Sequence, residues 1–129
     1  MNKGDLLFVY GTLMKGERAD MTAGHNSLAV TFIGEDRLNG ELYDMGYYPG
    51  AKIEADLFDP ARPTIEGEVY RIRNQNLCAQ LDAYEGFPNL FSRRQVPTEK
   101  GRIVWVYTYN LATKPVQLIA AGSWRHRQA

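Results

Sequence analysis

Two short segments of the sequence combine residue types suited to anion binding and proton transfer. The first, Tyr10-Gly11-Thr12-Leu13, directly follows the apolar run Leu6 to Val9. A turn at the end of a buried strand exposes N–H groups that the sheet no longer uses, and a glycine lets a ligand approach the backbone. Such N–H groups bind a carboxylate or stabilise an oxyanion. An ordinary strand-ending turn explains the same residues, and the residues alone leave both interpretations open.

The second segment, Leu81-Asp82-Ala83-Tyr84-Glu85-Gly86, places one carboxylate at the end of a predicted helix. The unpaired carbonyls there carry partial negative charge, which disfavours a carboxylate. Partial burial by Tyr84 and Phe87 would also raise the pKa of Glu85. A glutamate tuned in this way transfers protons near neutral pH. An exposed surface glutamate beside a capping glycine remains the alternative.

The sequence contains no candidate residues for covalent catalysis or for metal binding. Cys78 falls in a predicted helix stripe, and there is no Gly-x-Ser-x-Gly segment and no phosphate-binding loop. His25 and His126 have no partner at metal-ligand spacing. We therefore expect no metal and no cofactor. Glu68 is a candidate supporting carboxylate on a strand of the same sheet.

Composition restricts the class of protein. The chain has 129 residues, so we expect one domain over 1–129. Its formal net charge is zero, so it lacks the excess of basic residues that is typical of nucleic-acid-binding proteins. The apolar run before Tyr10 is too short for a signal-peptide core or a membrane span. A single cysteine fits a reducing compartment, so the expectation is a cytoplasmic protein that contacts neither membrane nor nucleic acid.

Hydrophobic patterning predicts six or seven strands and one clear helix. Strand-like segments are 6–10, 28–34, 37–43, 65–72, 91–96 and 102–109, and Gly67 indicates a bulge or a close backbone approach. Asn74 or Asn76 is predicted to cap the helix, Leu77, Cys78, Leu81 and Tyr84 form its apolar stripe, and Gly86 ends it. Short helices are also predicted at 18–24 and 116–121.

The strand at 102–109 is apolar on both faces, which favours a closed or strongly curled sheet in an α+β domain. The predicted loop at 44–52 contains Tyr47-Tyr48-Pro49-Gly50. Its aromatic residues either form the rim of a binding site or cover the core, and both interpretations stay open. Tyr107 likewise either lends its hydroxyl to a site or fills the core.

Taken together, these segments resemble the γ-glutamylcyclotransferase-like (AIG2-like) family. The resemblance extends from Leu7 to Trp124, and the order and spacing of its motifs make it specific. The matching segments are Phe8-Val9-Tyr10-Gly11-Thr12-Leu13, Leu81 to Gly86 with Leu90 to Arg94, Val104 to Tyr109, Tyr47 to Ala51 and Gly122-Ser123-Trp124. The segment around Glu85 is also similar to the γ-glutamylamine cyclotransferases, and Tyr47 to Ala51 and Gly122-Ser123-Trp124 are similar to the small bacterial branch.

The resemblance implies a small mixed β-barrel with flanking helices and a cavity at the barrel mouth. It implies that Glu85 is the acid/base and that Tyr10, Gly11, Thr12 and Leu13 bind the γ-glutamyl group. We expect Tyr48, Pro49, Gly50 and Tyr107 to complete the substrate site. The implied activity closes a γ-glutamyl group to 5-oxoproline and releases an amine or amino acid. The alternative is a non-catalytic module that binds a small metabolite, and we expect a monomer or weak dimer.

Overall fold

The computed structural model describes residues 1–23, 28–54 and 56–127. Its strands are β1 (Leu6–Val9), β2 (Val30–Asp44), β3 (Pro49–Ile53), β4 (Thr64–Ile72), β5 (Phe91–Pro97) and β6 (Ile103–Tyr109). The α-helix α1 spans Asn76–Glu85, and a 3-10 turn spans Pro115–Gln117. In these residues no helix is both long and apolar enough to cross a bilayer.

The strands form one mixed sheet in the order β3-β2-β4-β1-β6-β5. Strand β1 pairs in parallel with β6 and antiparallel with β4, and the other neighbours are antiparallel. Because β1 lies between two partners, its residues Leu7, Phe8 and Val9 are almost fully buried. The α+β class and the strong curl of the sheet are confirmed.

Two close contacts draw the β3 edge of the sheet over β6. The Lys52 ammonium donates to the carbonyls of Tyr109 at 2.8 Å and Leu111 at 2.6 Å. A Cβ on Gly50 would lie 2.7 Å from Cγ of Tyr109, so only a glycine fits there. The curled sheet therefore brings the start of β3 to the same side as the end of β1.

The helix follows its predicted stripe with one exception. Leu77, Cys78 and Leu81 are buried, whereas Tyr84 is half exposed. The N-cap is Gln75, and neither predicted asparagine occupies that position. Gly86 ends the helix with φ +66°, and its N–H donates to the Ala83 carbonyl at 3.2 Å.

Three predicted elements differ from the structure, each because of pairing across the fold. The segments 28–34 and 37–43 join into the single strand β2, whose register shifts between Phe32 and Gly34. The loop at 44–52 becomes strand β3 from Pro49 onward. The helix at 116–121 is only a 3-10 turn, since Leu118 bridges to Tyr43 and the Ile119 N–H donates to Leu42 O.

The predicted helix at 18–24 is wrong in its described part, residues 18–23. There the N–H groups of Ala19 and Met21 donate to the carbonyls of Thr12 and Leu13, at 2.7 and 3.1 Å. Those donors are therefore committed to the turn after β1 and are not available for helical bonds. Gly24 and His25 lie outside the described residues.

Gly67 packs β4 tightly against β1, as the predicted close approach requires. A Cβ there would lie 2.4 Å from the Val9 carbonyl oxygen and 2.5 Å from the Phe8 ring. We expect Gly67→Ala to lower the free energy of unfolding by about 2 kcal/mol or more, because backbone and ring must both shift. Urea unfolding measures the loss.

The matched control is Gly101→Ala, where an added Cβ meets nothing within 4 Å and only a φ of +83° is strained. That cost is about 1 kcal/mol. A Gly67→Ala loss no larger than the Gly101→Ala loss would contradict the tight contact between β4 and β1.

Candidate active site

A cavity of about 230 Å³ opens where β1 ends. The turn after β1, the residues entering β3, the end of α1, and strands β5 and β6 all contribute to its wall. The lining includes eight of the nine predicted site residues, namely Tyr10, Gly11, Thr12, Leu13, Tyr48, Pro49, Glu85 and Tyr107. Gly50 is the exception, because it packs against Tyr109 and does not line this cavity.

The turn after β1 presents donors to the cavity and keeps its acceptors occupied. The carbonyls of Gly11, Thr12 and Leu13 accept bonds from the N–H groups of residues 14, 19 and 21 at 2.7–3.1 Å. Within the described residues, the N–H groups of these same three residues donate to no protein acceptor. The turn can therefore offer hydrogen bonds to an anion or to a developing oxyanion.

Packing against Pro49 requires a glycine at position 11. A Cβ on Gly11 would lie 2.5 Å from Cγ of Pro49. The contact joins the turn after β1 to the first residue of β3. It thereby fixes two walls of the cavity relative to each other.

Glu85, the last residue of α1, is partly buried at the cavity, and burial raises its pKa to about 7. Within the described residues its carboxylate forms neither a hydrogen bond nor a salt bridge. The expected direction of the pKa is confirmed. Of the two expected neighbours, Tyr84 lines the cavity with Glu85 although it is 50% exposed, whereas Phe87 does not line it. Residues of other elements form the rest of the wall.

Four hydroxyl groups of the cavity wall are already paired. Tyr10 donates to the backbone carbonyl of Tyr107 at 2.7 Å. Thr12 and Tyr84 share a hydrogen bond of 2.7 Å. Tyr107 donates to Asp82 Oδ1 at 2.6 Å. The pKa values of Tyr10 and Tyr107 are both raised, chiefly by burial and further by the nearby Glu85 carboxylate.

Arg18 is a functional candidate that the sequence analysis missed. It lines the cavity mouth, its guanidinium donates to the Tyr47 carbonyl at 2.9 Å, and it lies 6.0 Å from the Tyr47 ring centroid. Among the residues lining the cavity, Arg18 and Glu85 carry the formal charges. No local motif distinguishes Arg18, because only the folding of the turn over the cavity places it there.

Glu68 is a buried support for the turn and does not line the cavity. Its carboxylate accepts the Lys15 N–H at 2.8 Å and the Tyr70 hydroxyl at 2.9 Å, and it forms a salt bridge with Arg125. These bonds attach the residues after the cavity turn to β4 and to the end of the described chain. The supporting position expected for Glu68 agrees with these contacts.

Comparison with known proteins identifies the class. The sequence profile of the family described as "Gamma-glutamyl cyclotransferase, AIG2-like" matches residues 7–126. The chain belongs to this family.

Individual relatives agree. The chain is similar to "Gamma-glutamylcyclotransferase family protein ytfP" of Citrobacter rodentium, with 34% identity covering 94% of this chain and 96% of the relative. It is also similar to "Putative gamma-glutamylcyclotransferase" of Vibrio cholerae, with 35% identity covering 95% and 96%.

Solved structures show the same fold. The ytfP protein from Escherichia coli aligns with a TM-score of 0.64 at 33% identity, covering 96% of this chain and 99% of that chain. An AIG2-like protein from Mus musculus aligns with a TM-score of 0.68 at 24% identity, covering 94% and 88%.

The raised pKa of Glu85 makes stability depend on pH. Between about 4.5 and 7 the folded state binds a proton that the unfolded state has released. The stabilisation of the folded state by the proton on Glu85 is therefore fully present below about pH 4.5 and is lost as the pH rises through 7. The free energy of unfolding of Glu85→Gln minus that of the wild type should therefore increase from pH 5 to pH 8. Urea unfolding at the two pH values measures this change.

The exposed Glu99→Gln variant is the control, with a difference from wild type that stays constant between the two pH values. A difference for Glu85→Gln that does not change with pH would rule out a protonated Glu85 in the folded protein.

Proposed function

We propose that the protein cyclises a γ-glutamyl group to 5-oxoproline and releases the attached amine. The observation that carries this proposal is the location of Glu85, with its pKa of about 7, on the same cavity as the free N–H groups of the turn after β1. Membership of the family supports the reaction class.

The reaction is intramolecular. The substrate's α-amine attacks its own γ-carbonyl carbon, so a new C–N bond closes the five-membered lactam. The original amide C–N bond breaks, and the proton lost by the α-amine moves to the leaving nitrogen. Since the nucleophile belongs to the substrate, the protein has to supply conformation, oxyanion stabilisation and proton transfer.

Glu85 is the residue we assign to proton transfer. Its carboxylate takes the proton from the α-amine, whose ammonium form has a reference pKa of about 8. The resulting carboxylic acid then protonates the leaving nitrogen. A pKa of about 7 suits both steps, because neither protonation state is strongly disfavoured near neutral pH.

We assign the N–H groups of the turn after β1 to the binding of negative charge on the substrate. The donors on Gly11, Thr12 and Leu13 can bind either the α-carboxylate or the oxyanion that forms on the γ-carbonyl. A folded γ-glutamyl chain held by such contacts keeps its amine close to its carbonyl, which lowers the barrier to ring closure.

Arg18 is assigned to a carboxylate on the leaving group. It lies at the mouth of the cavity and also lines an outer groove along α1. Leu13 and Tyr84 likewise line both the cavity and the groove. A guanidinium that gives one bond to Tyr47 O retains donors for a carboxylate. We therefore expect γ-glutamyl amino acids and γ-glutamyl-lysine isopeptide to be better substrates than γ-glutamyl-putrescine.

Release of 5-oxoproline from γ-glutamyl-alanine, γ-glutamyl-lysine isopeptide, γ-glutamyl-putrescine and glutathione tests the reaction. Glu85→Gln should fold but lose activity by about 100-fold or more, since the proton acceptor is gone. In the wild type, kcat/KM should rise with pH and reach half its maximum near 7 as Glu85 ionises.

Glu99→Gln should retain full activity in the same assay. Equal turnover by wild type and Glu85→Gln would reject Glu85 as the acid/base. Tight binding of these compounds without 5-oxoproline release would instead indicate a non-catalytic binding module.

Replacement of Arg18 tests the leaving-group contact. Arg18→Gln should lower kcat/KM for γ-glutamyl-alanine by about 10-fold, consistent with loss of one charge-assisted hydrogen bond, and leave γ-glutamyl-putrescine nearly unchanged. Arg71→Gln is the matched control, because Arg71 also donates to one backbone carbonyl, that of Gly4, and does not line the cavity. Equal losses for both substrates would mean that Arg18 binds the γ-glutamyl group itself.

A further inference from the structure

Asp82 is a carboxylate beside the cavity that the proposed reaction does not use. Its Oδ1 accepts the Tyr107 hydroxyl at 2.6 Å and Arg93 Nε at 2.9 Å, and its Oδ2 accepts Arg93 Nη2 at 3.0 Å. The Arg93 guanidinium also lies 4.4 Å from the Phe87 ring centroid and 5.4 Å from that of Trp105. The carboxylate is therefore fixed in orientation by a bidentate, stacked arginine.

The proton in the bond between Tyr107 and Asp82 belongs to the tyrosine. Hydrogen bonds from Arg93 hold the pKa of Asp82 below its usual range, so this carboxylate is ionised and can only accept. Burial and the bond to Asp82 raise the pKa of Tyr107, so the phenol keeps its proton. A phenol has one proton, and here it points to Asp82. Its oxygen retains only acceptor capacity for any other neighbour.

Tyr107 contacts one carboxylate of α1 directly and lines the cavity with another. Asp82 and Glu85 are separated by about one helical turn on α1, so they share a face of the helix. The Tyr107 hydroxyl bonds to Asp82, and Tyr107 and Glu85 line the same cavity, where the Glu85 charge raises the pKa of the phenol. We therefore take Glu85 as the alternative acceptor for the hydroxyl proton, which Asp82 and Arg93 hold away from it.

We propose that Asp82, held by Arg93, is a positioning residue that commits the Tyr107 proton away from Glu85 and leaves the Tyr107 oxygen as an acceptor facing the reaction. Glu85 then lacks a donor that would stabilise its carboxylate. The acceptor is free for the proton of a protonated Glu85 or for an N–H of the attacking amine. The catalytic consequence rests on the proposed function, whereas the direction of the proton does not.

The other titratable or charged groups around Glu85 do not replace Tyr107 in this role. The Tyr10 proton goes to a backbone carbonyl, and the Tyr84 hydroxyl is paired with Thr12. Arg18 is exposed at the mouth of the cavity and donates to Tyr47 O. The titratable or charged groups that line the cavity with Glu85 are Tyr10, Arg18, Tyr48, Tyr84 and Tyr107.

The test is a double-mutant cycle read out by the titration of Glu85. The carboxyl carbon of Glu85 is followed by NMR in carbon-13 glutamate-labelled protein, with Glu85→Gln to assign the signal. In Asp82→Ala the Tyr107 proton is released and can bond to Glu85, so the midpoint should fall by about one pH unit. In the Tyr107→Phe background the same Asp82→Ala change should move the midpoint much less.

An equal fall in both backgrounds would overturn the proposal, because it would show that loss of the Asp82 charge acts directly on Glu85. No fall in Asp82→Ala would overturn it as well. Asp82→Asn keeps the shape of the side chain and should lower the titration midpoint of Glu85 by a smaller amount. The Tyr107→Phe background should again remove this fall. The asparagine variant decides the question if the alanine variant does not fold.

Activity provides a second arm. If the enzyme releases 5-oxoproline, the low-pH limb of kcat/KM in Asp82→Ala should move together with the NMR midpoint, and kcat should fall by about 10-fold. A limb that stays at the wild-type pH while the midpoint moves would contradict the catalytic consequence. If no compound is turned over, the proposed function fails while the NMR cycle still decides the direction of the Tyr107 proton.

Discussion

The site depends on the point at which β1 loses its partners. This strand is paired on both edges, with β6 at Leu7 and with β4 up to Val9. Beyond that residue the sheet no longer accepts the N–H groups of the chain. The carbonyls of the same turn are occupied by residues that follow it, so only donors remain available. The abrupt end of a buried central strand thus produces a surface with one hydrogen-bonding polarity.

The opposite wall of the cavity has the complementary polarity. Glu85 contributes a carboxylate, and Tyr107 contributes an oxygen whose proton is already given to Asp82. The substrate that we propose would use both parts of the wall, with its negative charge on the donors and its N–H on the acceptors. A γ-glutamyl group has both features in one short chain, since its α-carbon bears a carboxylate and an amine. This complementarity supports the proposed reaction independently of resemblance to other proteins.

Features governed by local sequence could be predicted. The first strand, predicted over 6–10 and observed over Leu6–Val9, the buried stripe of α1 and the left-handed Gly86 depend on residue type and spacing within about one turn or strand. Features governed by distant partners could not. Strand β3 exists because β2 pairs with Pro49–Ile53, and the segment at 18–23 fails to form a helix because its donors bond to Thr12 and Leu13.

The same division explains the candidate site. Tyr10 to Leu13 and Glu85 lie in recognisable segments, so sequence patterns could select them. The predicted cause of the raised pKa relied on the end of the helix and on two sequence neighbours, of which Tyr84 lines the cavity and Phe87 does not. The rest of the wall around Glu85 comes from other elements, and the hydroxyl proton of Tyr107 is directed to Asp82, which Arg93 holds in place. The proton affinity of this carboxylate therefore depends on the folded cavity. The sequence could select Glu85, but it could not identify the groups of other elements that set its pKa.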